Sequence, residues 1–285
     1  MKVPFVLVDV FTDRPLAGNQ LCVVPEPIPL ETAQMQAVAK EIGFSETTFV
    51  SEASGDRYAM RIFTPGGELP FAGHPSLGTA FVLVSRGAVT SPATQKVAAG
   101  EFWVSADPGA GTARMRQGPP VFGPVFEDRV AVARAAGLQV DDLHPSLPVQ
   151  AVSTGLRHLM VPAVDRDAVV RANAHPPTVR EVVKASGSDG FYLFAADTAG
   201  AKARLFDADL GVGEDPATGS AAGPLGAYLV HHGVLAPGEI VVSQGVEIGR
   251  PSTLVVDVAD DGGSLTVHVG GGVAIVGEGR FDLPF

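Results

Sequence analysis

The sequence predicts an α+β protein built from two similar halves, each a strongly curved, mostly antiparallel or mixed sheet wrapped barrel-like around one central helix. Three observations carry this. Residues 61–89, RIFTPGGELPFAGHPSLGTAFVLVSRGAV, and residues 204–235, RLFDADLGVGEDPATGSAAGPLGAYLVHHGVL, follow one plan. Both open Arg-apolar-Phe, pass an acidic residue (Glu68, Glu214) and lead through Pro-x-x-Gly to an apolar run ending in Gly. Gly73 and Gly219 are 146 residues apart, and so are Gly87 and Gly233. A period this long indicates two fused folding units rather than a solenoid.

The second observation is the character of Pro75–Ser85 and Ala221–His231. Both are apolar all round, with Gly78, Ala80, Gly226 and Ala227 interleaved. A helix without a polar face must be buried on every side, and Gly87 and Gly233 suit its C-terminal stop. The third is the set of β-rich runs around each helix: FVLVDVF, CVVP, TTFV and FWVSA in the first half, FYLF, EIVVSQ, TLVVDV and LTVHVGGGVAIV in the second. Weaker echoes keep the same order, SETTFV (45–50) against SDGFYLFA (188–195) and AGNQLCVV (17–24) against STGLRHLMV (153–161).

The remaining elements are peripheral. Thr32–Ile42 sets Met35, Val38 and Ile42 on one helical face and stops at Gly43; Val130–Ala136 and Thr178–Ala185 are shorter helices. GPPVFGPVFED (118–128) is rich in Pro and Gly and is expected to be an irregular linker. The halves are therefore placed at 1–122 and 129–285, with the last strand a candidate to return to the first half.

Composition narrows the function. Hydrophobic residues make up 46% and charged residues 18%, which is globular. A formal net charge of -11 opposes nucleic acid or an anionic membrane as partner. No apolar run is long enough to span a bilayer, no signal peptide is legible at the start, and the cytoplasm is the expected location. Cys22 is the one cysteine, so no internal disulfide or cysteine-based zinc cluster can form; in LCVV it reads as a small core residue. His144, His158, His175, His231, His232 and His268 match no metal spacing. There is no Walker A pattern, GxSxG elbow or dinucleotide fingerprint, so neither metal nor cofactor is expected.

Chemistry is expected at the starts of the two central helices. First-turn N–H groups lack internal partners and carry partial positive charge, which suits a carboxylate or a developing anion. The turns AGHP (72–75) and ATGS (217–220) precede them, so Gly73 and Gly219 become candidate substrate-binding positions in a site between the halves. The plainer reading is that each turn only caps its helix. His74 and Ser220 occupy equivalent places; a His there can act as acid, base or donor, or simply bond backbone. Asp215 is either a site carboxylate or a turn residue bonding its own backbone. Glu46, between a helix stop and a strand start, is either a surface loop residue or a confined carboxyl with a raised pKa.

VDVFTDRPLAGNQLCVV, EIGFSETTFV, RIFTPGGELPFAGHPSLGTA, STG (153–155), EDPATGSAAGPLGAYL and QGVEIGRPS together resemble the phenazine-biosynthesis PhzF-like family over essentially the whole chain. The resemblance implies a diaminopimelate epimerase-like fold and a cofactor-independent isomerase that shuttles a proton on a small carboxylate, as a homodimer. It places the catalytic carboxylate at Glu46 by the SETTFV motif, with His74, Asp215 and Ser220 lining the site and Gly73 and Gly219 offering backbone N–H groups. Epimerases of that fold use two cysteines; with one cysteine, elsewhere, this chain is not a two-thiol racemase. Two alternatives remain open: an epimerase of an amino-acid-like compound, and a catalytically silent ligand-binding or interaction protein. The chain departs from the family pattern in GNQ at 18–20 and in Gly43, where Asn is usual.

Overall fold

The computed structural model describes residues 1–207 and 213–284; residues 208–212, which the repeat comparison crosses, and residue 285 lie outside the described residues. The chain divides into two compact units, one of residues 1–116 with 270–285 and the other of residues 117–269.

The first unit contains β1 (Lys2–Val10), β2 (Asn19–Val24), α1 (Thr32–Ile42), β3 (Glu46–Ser54), β4 (Arg57–Phe63), β5 (Glu68–Leu69), α2 (Gly73–Ser85), β6 (Ala93–Val97), β7 (Gly100–Asp107) and β8 (Thr112–Arg116). The second contains β9 (Val121–Val125), α3 (Arg129–Ala136), β10 (Gln150–Ser153), β11 (Arg157–Pro162), α4 (Arg166–Arg171), α5 (Pro176–Ser186), β12 (Gly190–Asp197), β13 (Gly200–Asp207), β14 (Gly213–Asp215), α6 (Gly219–His231), β15 (Gly238–Gln244) and β16 (Ser252–Asp260). The long β17 (Leu265–Asp282) begins in the second unit and ends in the first, where Val273–Asp282 pairs antiparallel with β1.

Pairing repeats between the units. In the first, β1–β2 and β3–β4 are antiparallel, while β2–β3 and β4–β6 are parallel. In the second, β10–β11 and β12–β13 are antiparallel, while β11–β12 and β13–β15 are parallel. Parallel neighbours need a crossover; α2 supplies the one between β4 and β6, and α6 the one between β13 and β15. In the first unit, β6–β7–β8 and the return of β17 onto β8 and β1 close an eight-stranded barrel round α2.

Both central helices are 13 residues long and buried over nearly their whole length. Small residues allow the strands to approach. A Cβ on Gly78 would lie 2.6 Å from a Leu21 methyl, and one on Gly226 2.6 Å from a Val256 methyl. Gly87 and Gly233 follow the helix ends at φ 67°, the left-handed conformation that a Cβ penalises. Each buried Leu77, Phe81 or Leu83 contributes about 1.5–3 kcal/mol through removal of apolar surface from water.

One expectation needs correction. The segment 118–128 is not irregular throughout, because it includes β9, whose register with β10 slips between Phe122 and Val125. Pro124, which has no N–H, sits inside that slip, so the strand tolerates it. Among the described residues, no helix is long and apolar enough to cross a membrane.

Candidate active site

In the first unit, α1 ends at Gly43 in the left-handed region (φ 70°), and Phe44 and Ser45 lead directly into β3. This explains the departure at Gly43, since Gly and Asn are the residues that adopt such a cap most readily. Glu46 is thereby the first residue of β3, facing Leu21 of β2 as its parallel partner. It is 8% exposed, so it is a confined carboxyl and not a surface loop residue. His74, the second residue of α2, is also buried; its Nε2 lies 3.4 Å from Glu46 Oε2 and 3.3 Å from the carbonyl oxygen of Gln20. A carbonyl only accepts, so Nε2 carries the hydrogen of that bond.

The Glu46–His74 approach is a close charge–imidazole contact without hydrogen-bond alignment: Oε2 has no hydrogen-bond partner among the described residues. Burial pushes the Glu46 carboxyl up to about 7, against a smaller downward pull from the Ser45 side chain. Near neutrality the carboxyl is thus close to half ionised, the condition under which one group both removes and returns a proton.

In the second unit, Asp215 ends β14 and is buried. Its Oδ2 accepts a hydrogen bond from the Thr218 hydroxyl, a side-chain partner three residues on. Gln244 Nε2 donates to the Asp215 carbonyl (2.8 Å) and to Thr218 Oγ1 (3.0 Å). Its Oε1 accepts from Thr218 N–H (3.2 Å) and the Tyr192 hydroxyl (3.0 Å). Burial, assisted by the Asp215 charge, raises the Tyr192 phenol above its ordinary range, so it stays a neutral donor.

Gly219 and Ser220 open α6. The Gly219 carbonyl accepts from Gln117 Nε2 (2.9 Å), and Gln117 Oε1 accepts from the Thr154 hydroxyl (2.6 Å). Ser220 Oγ lies 3.1 Å from His158 Nε2. Ser220 thus has a histidine neighbour, His158, that motif order does not reveal. The pair is still no Ser-His-Asp triad, because His158 Nδ1 has no partner among the described residues and no carboxylate orients it.

Neither central helix is capped by its N-cap side chain: Ala72 has no polar group, and the Thr218 hydroxyl turns to Asp215. The turns before Gly73 and Gly219 thus do not serve as side-chain caps. Reading the sequence singled out Glu46, His74, Asp215, Ser220, Gly73 and Gly219. It does not single out Gln117, Tyr192, Gln244 or the partnership of His158, although His158 and Tyr192 lie in the repeat echoes and Gln244 opens the QGVEIGRPS motif. Cys22 is buried and its thiol is pushed up to about 12, leaving it inert. Among the described residues, no group of three or more His, Cys, Asp or Glu is disposed to hold a metal ion.

A model of the family described as Phenazine biosynthesis-like protein (PhzC-PhzF) matches residues 8–279. The chain belongs to this family. It is 35% identical over 98% of its length to trans-2,3-dihydro-3-hydroxyanthranilate isomerase of Pseudomonas fluorescens, covering 99% of that protein. It is 32% identical to the uncharacterized isomerase YddE of Salmonella typhimurium, with all of both chains aligned. Among solved structures, the Bacillus anthracis phenazine biosynthesis protein of the PhzF family superposes with a TM-score of 0.89 at 29% identity, covering 99% of this chain and 100% of that one.

Proposed function

We propose that this PhzF-family chain is a cofactor-independent isomerase that moves a proton between carbons of a small cyclic carboxylate resembling dihydro-hydroxyanthranilate, with Glu46 as the proton carrier. The observation that carries the reading is the buried Glu46 carboxyl, one oxygen without a hydrogen-bond partner, 3.4 Å from His74 Nε2. In the first step the Glu46 carboxylate takes a proton from an activated carbon, and the C–H electron pair moves into the conjugated system. In the second, the Glu46 carboxyl returns a proton to another carbon and the electrons settle in the shifted double bond. Nothing is gained or lost overall, so no oxidant, reductant or cofactor is required.

His74, Asp215 and Ser220 serve the same reaction by positioning substrate and assisting proton movement. The N–H groups of Gly73 and Gly219 stabilise its carboxylate or the charge that develops. The reading includes a homodimer, as the family resemblance implies, located in the cytoplasm, as the sequence leads one to expect.

The test is turnover of trans-2,3-dihydro-3-hydroxyanthranilate by the wild type and by Glu46→Gln. The prediction is a fall in kcat of about 10²–10⁴-fold, the contribution of a general acid–base group. Wild-type kcat/KM should rise with pH through about 7 as the Glu46 carboxyl ionises. Full turnover by Glu46→Gln would refute the mechanism. In deuterated solvent, exchange at a stereocentre without a double-bond shift would point to epimerisation instead.

A further inference from the structure

Strand register supplies a correspondence that motif matching does not. In the first unit, Phe49 of β3 faces Arg61 of β4; in the second, Leu193 of β12 faces Arg204 of β13. Counting back three residues along β3 and β12 makes Glu46 the counterpart of Gly190. The parallel pairs agree, since Leu21 faces Glu46 and His158 faces Gly190. Where the first unit has a carboxylate, the second has no side chain at all.

The neighbouring imidazole fills that place. A Cβ on Gly190 would lie 2.9 Å from His158 Nδ1 and 3.4 Å from its Cε1. Ser220, the counterpart of His74, then receives His158 Nε2 at 3.1 Å, much as His74 receives Glu46 Oε2 at 3.4 Å. His158 is 4% exposed, whereas Ser220 keeps partial exposure.

The hydrogen-bond accounting fixes the direction of the bond. A neutral imidazole carries one N–H and one bare nitrogen. Nδ1 has no partner among the described residues, and an orphaned buried N–H is rarer than an under-used acceptor. The hydrogen therefore sits on Nε2 and is donated to Ser220 Oγ. Accepting that hydrogen uses one lone pair of the Ser220 oxygen and leaves the hydroxyl's own hydrogen available to another acceptor.

We infer that His158 is a positioning residue that commits Ser220 to donate its hydroxyl hydrogen to an oxygen of the substrate, such as its carboxylate. Ser220 is then a donor and neither a nucleophile nor a base. This rests on the reading of Ser220 as a substrate contact. Burial also pushes the imidazole down to about 4, and the Asp189 charge, the opposing influence, does not reverse it.

The experiment is a long-range ¹H–¹⁵N spectrum of the wild-type protein from pH 8 to pH 5, with His158 identified by loss of its signals in His158→Gln. The expected result is a neutral imidazole protonated on Nε2 throughout; an Nδ1–H tautomer, or a cationic ring above pH 6, overturns the inference. Anthranilate then serves as an unreactive carboxylate probe by calorimetry. His158→Leu and Ser220→Ala should each weaken it about tenfold, the worth of one hydrogen bond to a charged acceptor. Their combination should be no worse, and His158→Gln, which keeps an N–H donor, should restore most of the affinity. Wild-type affinity in His158→Leu overturns the inference alone. Failure of the wild type to bind anthranilate, with the Nε2–H tautomer in place, overturns the carboxylate-site reading and the Ser220 donor together.

Discussion

The two units share a frame and differ in what they mount on it. Each has a 13-residue buried helix, an N-cap without a side-chain hydrogen bond to the helix, and a left-handed glycine after the last turn. Each also braces the helix start with a glutamine and a tyrosine. In the first unit, Gln95 bonds Ser76 Oγ (2.9 Å) and accepts from the Tyr58 hydroxyl (2.8 Å). In the second, Gln244 and Tyr192 brace Asp215 and Thr218. Against this common frame stand Glu46 with His74 on one side, and Gly190, His158 and Ser220 on the other. Duplication preserved what positions the helix start, while the groups at the start diverged. The first unit keeps a carboxyl that changes charge near neutrality, and the second keeps an imidazole that does not.

The difference in charge can be broken through stability. A carboxyl raised from 4.5 to about 7 binds its proton more tightly in the folded chain, so its contribution is fully present below about pH 4.5 and lost as pH rises through 7. Glu46→Gln is therefore predicted to be more stable than the wild type at pH 8, by up to about 3 kcal/mol, with the gain vanishing below about pH 4.5. Urea unfolding at several pH values measures it; a gain independent of pH would sink the idea.

A smaller effect sharpens the shared part of the comparison. Gln244→Leu orphans the Thr218 N–H and the Tyr192 hydroxyl, both buried, and should cost about 2–3 kcal/mol. Chemical denaturation checks this, and a cost within 0.5 kcal/mol of zero, roughly the range of ordinary surface substitutions, would show that the brace is dispensable.

The smallest expected change is at the divergent position itself. Gly190→Ala brings a Cβ against His158 and should destabilise by about 1–3 kcal/mol through overpacking. Combined with His158→Ala, the penalty for the added methyl should largely disappear, because the ring it meets is gone. A double-mutant cycle reads this coupling, and strict additivity would mean that the imidazole does not fill the place of the missing carboxylate.

How much was legible in the sequence follows from what each signal depends on. The central helices were legible because burial on every side excludes polar residues, and the duplication because both helices end on a glycine at the same interval. Family motifs picked out Glu46, yet its surroundings allowed a surface loop as readily as a confined carboxyl. Burial at the mouth of β3 arises from α1, β2 and α2 converging there, and no local pattern encodes that. β9 was missed because Gly123 and Pro124 mark a loop unless a partner strand accommodates them at a slip.

By itself, then, the sequence determined the duplicated α+β architecture, the two helix starts and the residue types at them, since periodicity and spacing are properties of the chain alone. Tertiary structure decided what those residues are chemically. Glu46 acquires its raised pKa from burial, Asp215 its hydroxyl donor from a turn, and Ser220 its imidazole from a strand 62 residues away. Such contacts join distant segments, and desolvation depends on everything packed around a group.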